Sequence, residues 1–298
     1  MNTRDSASPV DAETLARLQH LQLVARQAAT GAMAGLHSTK RRGASVEFAE
    51  HKEYAPGDDV RRIDWRAYGR LDRYYLKEYQ DEANLRLYLV LDHSGSMGYG
   101  NKLAYARTLA GSLAHLSLSQ RDAAGLMMVS DGTTFLPPRT RTSHLEEMFL
   151  RLVQAEPRGA GKLAESLGQL SDMARGRGVC VIVSDMLDRS PDPVAAMQRL
   201  VARGFDVSVL HVQHPDERDF PFETPAFFAS MESSARVFAQ PRLVRETYVR
   251  EMARHCEQLE QRLTAARIDY HRCDTSAPAA DALSRFLSLR AALLRARA

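Results

Sequence analysis

No stretch of this 298-residue sequence approaches the roughly 18 consecutive apolar residues that a membrane-crossing helix requires, so no integral span is expected. Residues 1–9 are polar and lack the apolar core of a secretory leader, which makes the cytoplasm the expected compartment. Cysteine is scarce: Cys180, Cys256 and Cys273 are odd in number and widely spaced, which excludes a disulfide framework and a cysteine-based metal cluster. Aromatic residues make up only 7%, with a single tryptophan, and no aromatic–basic cluster resembles a stacking platform for single strands. A formal charge of +3 is too small to argue for nucleic acid as a partner. Phosphate-binding glycine loops, the Gly-x-Gly-x-x-Gly helix start and the His-Glu-x-x-His zinc pattern are missing as well. What is present is 44% hydrophobic and 26% charged residues, enough for a conventional packed core.

Three regions follow from the patterning. Residues 1–34 form a polar tail and a helix over 11–34, where Leu15, Leu18, Leu21, Leu23 and Val24 recur at helical spacing. Lys40-Arg41-Arg42-Gly43 reads as a basic turn. Residues 35–84 combine the alternating Val46-Glu47-Phe48, a turn at Tyr54-Ala55-Pro56-Gly57-Asp58-Asp59 and a strand-like Tyr74-Tyr75-Leu76-Lys77-Glu78-Tyr79, which suggests a small β-rich subdomain. From 85 to 298, apolar strands alternate with helices. Strands are expected near 85–91, 124–130, 179–183, 205–212 and 268–272. Helices are expected over 102–119, 143–154, 163–174, 193–202 and 243–265, with a last one from 279. Ser143 with Glu146 has the spacing of a capping box. Continuous apolar strands joined by helices imply a doubly wound α/β fold with a mostly parallel sheet covered on both faces. Between 216 and 240 lies a Phe-rich insert, read as an extra hairpin. Its Phe220, Phe222, Phe227 and Phe228 are candidates for an exposed patch or for packing beneath a loop.

In open α/β sheets the ligand crevice lies beyond the carboxyl ends of the strands, where strand order reverses. Asp92 leaves the first strand of the 85–298 region there, and Asp185 leaves its third. Within Asp92-His93-Ser94-Gly95-Ser96-Met97, two hydroxyls stand at alternate positions after the carboxylate. A carboxylate and two hydroxyls on one tight loop, facing a second carboxylate, form a hard oxygen cage. Such a cage suits Mg²⁺ or Mn²⁺ rather than zinc or copper. Taken singly, the aspartates also read as helix caps and Ser-Gly-Ser as a turn.

Asp92-His93-Ser94-Gly95-Ser96 between a strand and a helix resembles the metal-ion-dependent adhesion site loop of von Willebrand factor A domains. Together with Glu47-Phe48, Tyr54-Ala55-Pro56-Gly57-Asp58-Asp59 and Arg62-Ile63-Asp64-Trp65, it is similar to the DUF58 family over about residues 35–215. The resemblance implies a von Willebrand A-like, Rossmann-like fold and metal ligands at Asp92, Ser94, Ser96 and Asp185. It further implies association with a MoxR-type AAA+ ATPase in assembling or maturing a client protein. One departure stands out. Where the family carries Gly-Gly-Thr-Asp-Leu, this chain reads Gly159-Ala160-Gly161-Lys162-Leu163. Gly161 replaces the threonine ligand, and the Lys162 ammonium is placed to approach the cage and compete with a metal. The only tryptophan and the Gly57-Asp58-Asp59 turn read as structural elements of the β-rich subdomain, with a docking surface as the other reading.

Catalysis is not expected. A phosphatase of the haloacid dehalogenase type needs a second Asp two residues after the first, where Ser94 stands, and a nucleophile elbow at Ser94 would need Gly at Asp92. The expected function is a non-catalytic protein-binding module. Asp92, Ser94, Ser96, Asp185 and Lys162 would meet a carboxylate of the ATPase or its client, and any membrane association would be peripheral, through a partner. The alternatives are a scaffold with a degenerate, metal-free site and, behind it, a phosphatase-like hydrolase.

Overall fold

The computed structural model describes residues 51–53, 75–77, 85–174, 176–188 and 191–297. The expected helix over 11–34 and the Gly57-Asp58-Asp59, Asp64 and Trp65 elements lie outside the described residues. The chain divides into two compact units, one of residues 38–84 and one containing 85–298. In the first, β1 (His51–Glu53) pairs antiparallel with β2 (Tyr75–Lys77).

The larger unit is built on a six-stranded sheet of β3 (Arg86–Asp92), β4 (Ala123–Val129), β5 (Thr133–Arg139), β6 (Val179–Ser184), β7 (Asp206–Gln213) and β10 (Asp269–Asp274). Their order across the sheet is β10-β7-β6-β3-β4-β5, with every pairing parallel except β4–β5. Counted by strand within this sheet, that is the 3-2-1-4-5-6 order of the doubly wound fold, and it reverses between β3 and β6. The α/β, mostly parallel fold read from the sequence is therefore the observed one. β5 lies at the sheet's edge, where Pro137 and Pro138 leave no central ladder bond unmade.

The strands are apolar on both faces because both faces are covered. Leu87, Leu89 and Leu91 of β3 enter one core with α1 (Lys102–Ser119), α2 (Thr142–Gln154) and α7 (Ala279–Arg297). Tyr88 and Val90 enter the opposite core with α3 (Leu163–Met173), α4 (Pro193–Ala202) and α6 (Pro241–Ala265). Pro193 opens α4 at a position where its missing N–H costs nothing, and the Asp192 side chain accepts from Val194 N at 3.1 Å. The capping box expected at Ser143 is not formed. α2 begins one residue earlier, with Arg141 at the N-cap and no side-chain cap, so Ser143 lies inside the first turn. Cys180 is fully buried in β6, and burial pushes its thiol up to about 12, consistent with an inert core residue.

The 216–240 insert forms α5 (Pro215–Asp219) and a hairpin of β8 (Ala226–Ala229) and β9 (Arg236–Ala239). Its phenylalanines divide between the two readings. Phe220, Phe222 and Phe228 cluster with one another, and Phe220 also meets Tyr248 of α6. Phe227 stays 71% exposed against Phe238 across the hairpin.

Burial ranks the cost of substitutions. Leu89 is 1% exposed at the centre of the sheet, whereas Leu243 is 76% exposed. Urea unfolding of Leu89→Ala should show a loss of about 3 kcal/mol, and Leu243→Ala a change within about 0.5 kcal/mol.

Candidate functional site

Parallel pairing of β3 with β6, in the register Leu91↔Val183, sets Asp92 beside Ser184 and brings Asp185 to the same rim. Asp92 is 1% exposed. Its Oδ1 accepts from Ser94 N at 2.9 Å, and its Oδ2 accepts from Ser184 Oγ at 2.7 Å. Burial first, and the nearby Asp185 charge second, push the Asp92 carboxyl up to about 7. The strand then breaks into a 3-10 turn, Gly95–Gly98. This turn holds Ser94 Oγ and Ser96 Oγ 3.2 Å apart. His93 N donates to Val129 O at 2.8 Å, while Gly95 N donates to Gly159 O at 2.9 Å and Arg158 N to His93 O at 3.1 Å. These bonds clamp the loop between β4 and the segment before α3. The His93 ring turns away from Ser94 and bonds the Glu156 carbonyl through Nδ1 at 2.9 Å.

The same clamp brings Gly161 to the loop. A Cβ on Gly161 would stand 3.5 Å from Ser94 Cβ and 3.5 Å from Asp188 Oδ2. A side chain there would face the cage, so the residue contributes no oxygen at a position where a threonine hydroxyl would reach. Asp188 instead accepts from Leu163 N at 3.0 Å and caps the start of α3.

The expectation that Lys162 brings the ammonium is corrected by the structure. Lys162 sits at the N-cap of α3 with its side chain about half exposed, and its nearest carboxylate is Glu165 at 4.0 Å. A different lysine meets the rim carboxylates. Lys102, in the first turn of α1, is fully buried. Its Nζ donates to Asp185 Oδ2 at 2.8 Å and to Glu217 Oε1 at 2.5 Å. Burial pulls the ammonium pKa down, but Asp185 and Glu217 outweigh that and hold it above its ordinary value. Glu217 is aimed by its own helix, because its Oε2 accepts from His214 N at 3.0 Å and so caps α5. Asp185 has little left to offer, since its Oδ1 accepts from Leu187 N at 3.2 Å.

Sequence reasoning missed Lys102, Ser184 and Glu217. One signal was available for the first: Lys102 falls on the same helical stripe as Ala106, Leu109 and Leu113, all buried. A lysine on an apolar stripe needs buried anionic partners.

Whether a hard divalent ion suits these residues can be tested on their geometry. Cis oxygens around Mg²⁺ at bonds of about 2.1 Å stand about 3.0 Å apart, and the two serine hydroxyls stand 3.2 Å apart. Two carboxylates, Asp185 and Glu217, meet the single Lys102 ammonium, so the pairing leaves an excess of acidic groups at the rim. The donor set fits, with Asp92, Ser94 and Ser96 as its inner members and Asp185 lending charge from behind Lys102. Among the described residues there is no cluster of three His, Cys, Asp or Glu side chains arranged to hold a metal, so any ion here depends on hydroxyl oxygens.

Two outcomes follow for stability. The folded Asp92 carboxyl binds its proton more tightly than the unfolded one. Its contribution to stability is therefore greatest below about pH 4 and is lost as pH rises to about 7. Asp92→Asn should raise the melting temperature at pH 8, by about 1–2 kcal/mol in stability, and the gain should vanish near pH 4 in thermal scans. Lys102→Met should have the opposite effect. It leaves the buried Asp185 and the partly buried Glu217 without their shared cation and should cost about 3–5 kcal/mol at pH 7 in urea unfolding.

Among known proteins, two uncharacterized mycobacterial proteins, Rv1480 of Mycobacterium tuberculosis and Mb1516 of Mycobacterium bovis, are each 28% identical to this chain over 257 residues. The aligned region covers 82% of the chain and 80% of each relative. Among solved structures, the conserved hypothetical protein BatB from Bacteroides thetaiotaomicron is 17% identical, with a TM-score of 0.44, over 70% of this chain and 98% of its own. An aerotolerance-related membrane protein from Bacteroides fragilis is 19% identical, with a TM-score of 0.44, over 67% of this chain and 97% of its own. No helix among the described residues is long and apolar enough to cross a membrane. Residues 50–258, well over half the sequence, match the family described as "Protein of unknown function DUF58", and the chain belongs to that family.

Proposed function

We propose that this chain is a non-catalytic protein-binding module of the cytoplasm whose β3–β6 rim takes a carboxylate from a partner, the partner being a MoxR-type AAA+ ATPase or its client. The observation that carries this reading is the pair of serine hydroxyls 3.2 Å apart beside the buried Asp92 carboxyl at the reversal of strand order. In such a crevice Mg²⁺ or Mn²⁺, when bound, supplies an open coordination position for an incoming carboxylate. This chain's own residues do the rest. Ser184 and the Ser94 amide orient Asp92, and the 159–161 segment holds the loop. Lys102 pairs with Asp185 and offsets its charge behind the cage.

The geometry also argues against hydrolysis. The His93 ring is engaged by Glu156, so it is not positioned as a base for Ser94, and Ser94 occupies the place of a dehalogenase-type second Asp. A second reading, a scaffold whose site has lost its metal, is favoured by one specific feature: Gly161 leaves the position facing Ser94 without a hydroxyl.

Pull-down with a MoxR-type AAA+ ATPase separates the two. Capture should be strong in Mg²⁺ and fall at least tenfold both in EDTA and with Asp92→Ala. Equal capture in all three conditions, with no thermal shift in Mg²⁺ or Mn²⁺, would leave the scaffold as the surviving reading.

A further inference from the structure

The hairpin of the insert does not merely decorate the fold; its tip rests on the candidate site. A Cβ on Gly95 would stand 2.1 Å from the Met231 carbonyl oxygen, 2.8 Å from its carbonyl carbon and 3.2 Å from Glu232 Cγ. Gly95 is not among the residues of positive φ, so its backbone conformation is open to any residue. What requires glycine there is the closeness of the hairpin tip. Glu232 reaches the same turn, with Oε1 3.4 Å from the Ser96 amide nitrogen, whose hydrogen it faces. The Met231 side chain closes the far end, since a Cβ on Gly98 would meet its Cε at 3.2 Å. The tip is held in shape by its own bonds: Ser230 N donates to Ala235 O at 2.8 Å, and Ser230 Oγ accepts from Glu232 N at 3.2 Å and Ser233 N at 3.1 Å.

A carboxylate is thus delivered to the loop that carries both serine hydroxyls, from within the same chain. We propose that Glu232 is a built-in carboxylate ligand of the rim, and that the β8–β9 tip must be lifted before a carboxylate from outside the chain can take its place. This rests on the carboxylate-binding reading above and names its regulation. The chemistry is that of a tethered competitor. A short tether gives the tip an effective concentration in the millimolar range, enough to exclude weak external carboxylates while yielding to a partner that also grips elsewhere. The exposed Phe227 and Phe238, paired across the same hairpin with ring centroids 5.2 Å apart, lie on the element that has to move.

The test uses the full chain labelled with ¹⁵N and a synthetic peptide that copies residues 229–235, with Glu at its centre. In one variant Ser230 to Ala235 is replaced by Asn-Gly, which joins β8 to β9 through a tight two-residue turn and removes the tip. In a second, milder variant, Glu232→Gln, the tip keeps its shape and loses its charge. Removing the tip should speed hydrogen exchange of the Ser96 amide. It should also let the peptide shift the 92–96 resonances in Mg²⁺ at about one-tenth of the concentration the unaltered chain needs, as expected if the tip is seated about nine-tenths of the time. Glu232→Gln should fall between the two, and a peptide with Gln at its centre should not bind. Equal Ser96 exchange in all three chains, or equal peptide affinity for the unaltered and tipless chains, would overturn the proposal. Peptide binding that appears only in the tipless chain, with no ATPase captured by any chain, would instead uphold the built-in ligand and remove the ATPase as partner.

Discussion

The rim of this protein depends on one buried cation. Lys102 enters from α1 and lies between Asp185, at the end of β6, and Glu217, at the start of the insert. Without it, the buried Asp185 would stand unpaired beside Asp92, and Glu217 would lose its cation, a costly desolvation and repulsion. With it, Asp185 has a cationic partner and the insert is tied to the rim by an ion pair whose ammonium is sealed from water. Asp92 carries the remaining cost: its burial first, and the nearby Asp185 second, raise its proton affinity. The candidate site is thus a place where the fold tolerates unfavourable electrostatics, as functional sites commonly do.

That arrangement also explains why the rim presents hydroxyls rather than carboxylates to anything that approaches. Asp92 has both oxygens engaged, by Ser94 N and Ser184 Oγ, and Asp185 has both engaged by Lys102 and Leu187 N. Ser94 and Ser96 have hydroxyls that are bonded to each other at 3.2 Å rather than to a carboxylate. A ligand of the rim meets neutral donors backed by negative charge, which favours a small hard cation and, through it, an anion. The insert supplies such an anion in cis through Glu232, so the same rim that attracts a partner is already covered from within.

Much of the fold was legible because the two periodicities of an α/β chain are distinct. Apolar-rich runs such as 85–91 and 179–183 are too short for typical helices and read as strands covered on both faces, while Pro193 and the turn residues between them punctuate the helices. Asp92, Ser94, Ser96 and Asp185 could be picked out together because a strand's end and the turn after it are contiguous in sequence. The misplaced cap at Ser143 shows where this reasoning ends. Capping patterns recur in first turns as well as before them, and here the extended Arg141 takes the cap position with no side-chain bond.

The sequence alone determined the α/β class, the strand-ends that bear carboxylates and the absence of an oxygen at Gly161, since each depends on local pattern or residue identity. The tertiary structure decided which cation neutralises the rim and which segment covers it. Lys162 is one residue from the cage in sequence terms and points to solvent, while Lys102 is 83 residues from Asp185 and touches it. Glu232 is 136 residues from Ser96 and reaches its amide. Pairings of this kind are set by crossover connections and by the burial that forces a charge to find a partner, and neither leaves a periodic trace along the chain.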